Sequence, residues 1–186
     1  MTAASPEVTD ITAAEFRQAM AHFATGVTVV TSVGADGEPV GTTANAVCSL
    51  SLDPPLVLVC FDRLSLTLAA IREHGAFTVN VLAAAQQHLS ANFARPGLAA
   101  AWDGVRHRPG VTGSPRLHDA LATVECAVES RFPGGDHEIV VGRVQDLETA
   151  GDGCEPLLYW RGGYAALGGG AFPRPFRASA RAGDTS

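Results

Sequence analysis

Residues Val40–Arg63 read VGTTANAVCSLSLDPPLVLVCFDR, and the fold turns on how this stretch divides. From Gly41 to Ser51 small hydroxylic and small apolar residues alternate: Thr42, Thr43, Ala44, Asn45, Ala46, Val47, Cys48, Ser49. A strand of this kind buries little apolar area and leaves many short donors and acceptors free. Asp53-Pro54-Pro55 stops it, since neither proline donates to a ladder and each restricts the residue before it. Leu56–Phe61 is then a short unbroken apolar run, the pattern of a strand buried on both faces. A lean hydroxylic strand beside a greasy one forms a shelf suited to a flat polar ring against backbone. On pattern alone a plainer reading is preferred: a Ser/Thr-rich edge strand next to a core strand.

Working outward, residues 1–11 are small and polar, a loosely held end. Thr12-Ala13-Ala14-Glu15 fits a capping box, and Phe16, Met20 and Phe23 recur at helical spacing. These predict a helix with one buried face ending near Gly26, with His22 a partly buried surface histidine. Val27–Val33 reads as a β-branched strand, Gly34–Pro39 as a turn, and Val40 onward as the returning strand. Ser65 is placed to cap a helix carrying Leu68 and Ile71, closed by Gly75. Phe77, Val79 and Val81 alternate with Thr78 and Asn80 in a half-buried strand, where Asn80 reads as a structural hydrogen-bond hub.

Gln86–Phe93 suits a short helix ending before Pro96. Arg95–His118, with several Gly and Pro, Trp102 and two arginines flanking His107, reads as an excursion over the surface. Strands are expected over Leu121–Phe132, Glu138–Leu147 and Leu157–Trp160, the first two joined by a tight turn at Pro133–Asp136. From Gly168 a Gly/Ala/Arg/Pro-rich tail reads as disordered. Strands outnumber helices and hairpins imply antiparallel pairing, which together point to a closed or partly open barrel in one domain.

The 186 residues are nearly half apolar and 17% charged, within the globular range. A net charge of −6 leaves no basic surplus for a nucleic-acid partner. Every basic residue is arginine; without lysine there is neither a Walker A loop nor a Schiff base. Cys48, Cys60, Cys126 and Cys154 form no CxxC pair, so no metal site is expected. Cys48, Cys60 and Cys126 sit in strand-like runs where a free cysteine acts as a small hydrophobe. No signal-peptide pattern or membrane-length apolar run is evident, and a cytoplasmic protein with reduced thiols is the expectation.

The segment Gly41–Pro55 closely resembles the flavin-contacting segment of the flavin reductase family, the short-chain reductases that supply reduced flavin to two-component monooxygenases. The likeness continues through Cys60–Ser65, Phe77–Leu82, Gly134-Gly135-Asp136-His137 and Tyr159–Tyr164, in the expected order, and covers roughly residues 12 to 167. It implies a mainly β fold, a six-stranded antiparallel Greek-key split barrel with a few peripheral helices, assembled as a homodimer. It implies FMN or FAD as flavin, NADH or NADPH as hydride donor, and a flavin-dependent monooxygenase as recipient of the reduced flavin.

Carried onto this chain, the resemblance gives a flavin site of Thr42, Thr43, Ala44, Asn45, Ala46, Val47, Ser49, Leu50 and Phe61 around the ring. Asp62, Arg63, Ser65 and Thr67 stand at the start of a helix whose free amides favour an anion, and Arg95 is a second candidate for the phosphate. By itself Arg63 reads as a solvated surface arginine. His137, in the Gly-Asp-His motif, is implied to position the nicotinamide; hydride transfer needs no acid or base from the protein. Arg161 and Tyr164 read equally as a C-terminal turn or as a segment closing over the pocket. No nucleophile elbow, HExxH pair or GxGxxG fingerprint is present. The expectation is an NAD(P)H:flavin oxidoreductase. Its rivals are a flavin-binding sensor or carrier without turnover and a small β-barrel interaction protein without cofactor.

Overall fold

The computed structural model describes residues 10–95, 99–151, 153–165 and 167. The two expected loose ends, 1–11 and 168–186, lie outside them apart from Asp10 and Ile11. The chain runs α1 (Ala13–Met20), β1 (Thr25–Gly26), β2 (Thr28–Val33), β3 (Pro39–Ala44), β4 (Val47–Leu52) and β5 (Pro55–Asp62). It continues α2 (Leu66–His74), β6 (Ala76–Val81), α3 (Gln87–Phe93), β7 (His107–Pro109) and β8 (Pro115–Leu117). The last elements are β9 (Ala122–Gly134), β10 (His137–Thr149), β11 (Leu158–Trp160) and β12 (Gly163–Ala165).

Among the described residues the main sheet has seven antiparallel strands in the order β3-β2-β6-β9-β10-β5-β4. β5 reaches β10 rather than its neighbour in sequence, β6, a crossover of Greek-key type. The expected six strands become seven because the Gly41–Ser51 ribbon is two strands, not one. It breaks at Asn45-Ala46, and its halves lie at opposite edges of the sheet. Cys60 N donates to Ala46 O at 3.0 Å, so the link is stitched to β5 and the sheet curls into a split barrel. The hydroxylic strand does lie beside the greasy one: Val47 pairs with Val59 and Cys48 with Leu58.

Two cores follow from the alternation of strand side chains. Val30, Val59, Phe61, Leu68, Phe77 and Val140 fill the inside of the barrel. Val29, one residue along β2, faces the other way, into a second core with Leu82, Leu89, Phe93 and Leu117. Leu56–Phe61 is therefore fully buried only at Val59 and Phe61. β6 is buried on both faces rather than half-buried, because β2 and β9 flank it and each face meets one of these cores. Asn80 is the expected hub: its Nδ2 donates to Val29 O at 3.0 Å and Thr31 Oγ1 at 3.1 Å, and its Oδ1 accepts from Leu117 N at 2.8 Å.

α2 is capped as expected, with Ser65 Oγ accepting from Leu68 N at 3.3 Å and Gly75 in the left-handed region at φ 75°. α1 has its capping box but ends at Met20, and its apolar face is not buried: Phe16 is 61%, Met20 50% and Phe23 68% exposed. His22 is likewise exposed. The helical spacing holds, but no other element among the described residues covers that face. The described residues of the Arg95–His118 segment run largely exposed, as expected, but Ala101 and the end of the segment turn inward. Its β7–β8 hairpin buries Ser114–Leu117, and Arg116 is ion-paired inside with Glu125 and Asp146. Pro133 belongs to β9, and the tight turn is Gly135-Asp136.

Cys126 behaves as a small hydrophobe, its thiol pushed up to about 12 by burial and the charge of Glu125. Cys48 is exposed instead. No helix of the described residues is long and apolar enough to cross a membrane.

Asn80→Ala removes three buried hydrogen bonds, among them the one that satisfies the Leu117 amide. The expected loss is about 3 kcal/mol at unchanged m-value in urea unfolding.

Candidate functional site

β5 ends at Asp62, and the chain turns through Arg63 and Leu64 into α2. Asp62 shapes the turn: its Oδ1 accepts from Leu64 N at 2.8 Å and its carbonyl from Ser65 N at 3.0 Å. Ser65 satisfies Leu68 N, whereas the amides of Leu66 and Thr67 find no acceptor among the described residues. Both residues line a cavity of about 680 Å³. One further wall is the free edge of β3 and the turn before it, Glu38–Thr42. Another is the end of α3, with Phe93 and Arg95, followed by Ala101 and Trp102.

The walls meet because β3 and α3 approach closely. A Cβ on Gly41 would come within 3.2 Å of the Phe93 ring and 3.3 Å of Thr31, so glycine sets the distance. Thr43 Oγ1 donates to Ser90 O at 2.7 Å, and Ser90 Oγ shares a hydrogen bond with Tyr164 Oη at 2.8 Å. Ser90 is fully buried, and the network ties β3, α3 and β12 into one block. Phe93 and Trp102 meet edge to face, with centroids 4.9 Å apart.

Beside the cavity, β10 pairs with β5 so that His137 stands opposite Asp62. Arg63 N donates to Asp136 O at 3.1 Å and its Nε to His137 O at 3.3 Å. His137 Nδ1 lies 2.7 Å from Asp136 Oδ1. That hydrogen bond, with the nearby charges of His137 and Arg63, holds the Asp136 carboxyl below the usual carboxylate range. Two residues on, a hydrogen bond from Arg72 holds Glu138 below that range as well.

Of the expected site residues, Thr42, Asp62, Ser65, Thr67 and Arg95 line one cavity. Arg63 and His137 sit together on the adjoining turn. Thr43 points to α3, while Ala44 and Val47 pack against the barrel core. Asn45, Ala46, Ser49 and Leu50 are exposed, and the Phe61 side chain lies inside the barrel. Tyr164 stands behind α3, not over the cavity. Arg161 is tied elsewhere: its N donates to Ala21 O at 2.8 Å, and its guanidinium lies 5.3 Å from the Trp160 ring centre.

Sequence reasoning missed Phe93 and Trp102 as cavity walls. The lone tryptophan of the Arg95–His118 excursion was a signal, but nothing local placed it against β3. A helix start with free amides and hydroxyls accepts a phosphate, and an aromatic wall beside it accepts a flat ring. The residues present therefore fit a flavin nucleotide.

Comparison with known proteins agrees with this chemistry. Residues 20–168 match the flavin reductase like domain. The chain belongs to the flavin reductase family. It is 43% identical over 152 residues to the flavin reductase (NADH) of Kitasatospora aureofaciens, covering 81% of this chain and 79% of that one. It is 41% identical over 155 residues to the reductase subunit of a flavin-dependent monooxygenase of Mycobacterium tuberculosis, covering 82% and 81%. The solved structure of the NADH:FAD oxidoreductase of Streptomyces globisporus C-1027 superposes with a TM-score of 0.79 at 33% identity, covering 89% of this chain and 99% of that one.

Tyr164→Phe removes the Ser90 hydrogen bond while keeping the ring. It is expected to cost ~1 kcal/mol, and Ser90→Ala combined with it little more than either alone. Urea melts of the four forms check the coupling.

Proposed function

We propose that this chain is an NADH-dependent flavin reductase that reduces FMN or FAD and passes the reduced flavin to a separate flavin-dependent monooxygenase. The observation that carries this reading is the cavity at the start of α2, where uncommitted amides, Ser65 and Thr67 meet the free edge of β3. The flavin phosphate is read at the Leu66 and Thr67 amides, and the ring towards Thr42 and the Asn45–Leu50 ribbon. Hydride passes from reduced nicotinamide to flavin by chemistry the two nucleotides supply between them.

The chain's work is binding and orientation. Arg63 and His137, bound to each other across the β5 and β9–β10 turns, stand where they orient the nicotinamide nucleotide. The charged groups lining the cavity are Glu38, Asp62 and Arg95, an excess of one negative charge. That balance disfavours the 2′-phosphate of NADPH, which dinucleotide sites otherwise hold with arginine. NADH as donor also accords with the named activities of the relatives. We place the function in residues 12–167 and in the cytoplasm, where the four unpaired cysteines stay reduced. A homodimer is part of the proposal: a second copy would cover the exposed apolar face of α1.

NADH and free FMN or FAD, followed at the nicotinamide absorbance, are expected to show flavin-dependent oxidation, slower with NADPH. A protein that binds flavin yet ignores both nucleotides would be the carrier alternative instead. His137→Ala is expected to raise KM for NADH about tenfold at nearly unchanged kcat, the pattern of lost uniform binding. Steady-state kinetics at saturating flavin read the split. Sedimentation showing a monomer at micromolar concentration would remove the dimer.

A further inference from the structure

We propose that the β7–β8 hairpin is a strap that lifts off the main sheet as a unit, and that lifting it loosens the Trp102 wall of the cavity and lets flavin leave. The release of flavin rests on the reading above; the strap itself does not.

Side chains alone attach the strap. Its two short strands pair only with each other, and a lone two-stranded ribbon is marginally stable in water. Among the described residues no backbone–backbone hydrogen bond joins residues 107–118 to the main sheet. Thr31 Oγ1 donates to Pro115 O, and Asn80 Oδ1 accepts from Leu117 N at 2.8 Å. Glu125 accepts from Thr112 N at 2.8 Å and holds the guanidinium of Arg116, which also reaches Asp146 and Glu148. His74 Nε2 lies 3.0 Å from Thr112 O, and Gln86 Nε2 donates to His118 O at 2.8 Å.

The surfaces that meet beneath the strap are polar. The sheet presents Thr31, Thr78, Asn80, Thr123 and Glu125, and the strap brings Ser114 and Arg116, all of them buried. The hydroxyls of Thr78, Ser114 and Thr123 have no partner among the described residues. Lifting the strap gives these hydroxyls water and returns Arg116 and Glu125 to solvent together, so neither charge is stranded. Little apolar contact is lost: of residues 107–118 only Leu117 belongs to a hydrophobic core. A cavity of about 200 Å³ between Arg108, Arg116 and Leu117 of the strap and Thr123 and Glu148 of the sheet leaves the seam thinly packed. Few apolar contacts and many polar ones mark a segment that opens far more cheaply than the whole domain unfolds.

The strap reaches the flavin cavity through one ring. His107 meets Trp102 edge to face, with centroids 5.0 Å apart, and Leu117 shares the core on which Trp102 packs. Lifting removes both and leaves Phe93, 4.9 Å away, as the remaining aromatic brace of this cavity wall.

Hydrogen exchange of the full-length protein, resolved by amide, tests the strap. The Thr112 and Leu117 amides, both bonded to sheet side chains, are expected to share one protection factor, about a hundredfold or more below those of β6 and insensitive to low urea. Two variants then test release. A Cβ on Gly110 would collide with the Glu125 carboxylate, so Gly110→Ala pries up the tip without touching the cavity. Thr112→Val is milder, removing the Thr112 Oγ1 bond to Glu125. Leu117 protection is expected to fall about tenfold in the first and about threefold in the second. FMN dissociation, followed by stopped-flow flavin fluorescence, is expected to quicken by the same factors.

Strap amides as protected as β6, unlike protection of Thr112 and Leu117, or FMN dissociation unchanged where protection has fallen overturns the proposal. Common, urea-insensitive exchange in a protein that binds no flavin would sustain the strap and sink the flavin reductase reading.

Discussion

Everything in this fold depends on a two-residue link. Asn45-Ala46 joins β3 to β4, and these are the two outermost strands of a seven-stranded sheet. A flat sheet would hold its edges several strand widths apart, at about 4.8 Å each. Two residues cannot span that distance, so the sheet must curl until its edges meet. Ala46 O then takes the Cys60 amide, and the seam is fastened to the strand that carries the helix-start loop.

Curling gives the sheet an inside and an outside, and both are used. β2 and β6 bury both faces, one against the barrel core and one against the core of α3, Trp102 and the β7–β8 hairpin. Among the polar groups trapped between these layers the hydroxyls of Thr78, Ser114 and Thr123 have no partner among the described residues, whereas the amide and carboxylate are held. Asn80 bridges β2, β6 and β8, and Glu125 is held by Arg116 and by Thr112, whose N donates at 2.8 Å. A buried pair of this kind adds little net stability, but losing one partner leaves a stranded charge. Its consequence is positional: it fixes the hairpin that braces Trp102 through His107. The cavity lies where the seam, the start of α2 and this second core come together, and none of its walls belongs to one element alone.

The sequence was readable wherever the cause was local. The Thr12–Glu15 box, the Ser65 cap with its Gly75 stop, the β-branched run of β2 and the long pair β9–β10 each carry their own signal within a few residues. The hub role of Asn80 was readable because a lone amide in an apolar strand needs partners. Where burial depends on neighbours, local pattern failed. Phe16, Met20 and Phe23 have the spacing of a buried face, yet no element among the described residues covers that face of α1. Thr78 lies on the polar side of a strand that reads as half-buried, yet a second layer covers it. For Tyr164 a C-terminal turn and a segment closing over the pocket read equally, and its contact with Ser90 of α3 has no local signal.

By itself the sequence determined an antiparallel, mainly β domain, its helix caps, and a helix start bearing Asp62, Arg63, Ser65 and Thr67 after a greasy strand. Those features follow from periodicity, propensity and capping, which act over a few residues. Only the tertiary structure decided that Gly41–Ser51 is two strands at opposite edges of one sheet. It alone brought β3, α2 and Trp102 around a shared cavity. Such contacts join residues far apart in the chain, and their geometry is set by closure of the barrel and packing of the second core, neither of which leaves a local trace.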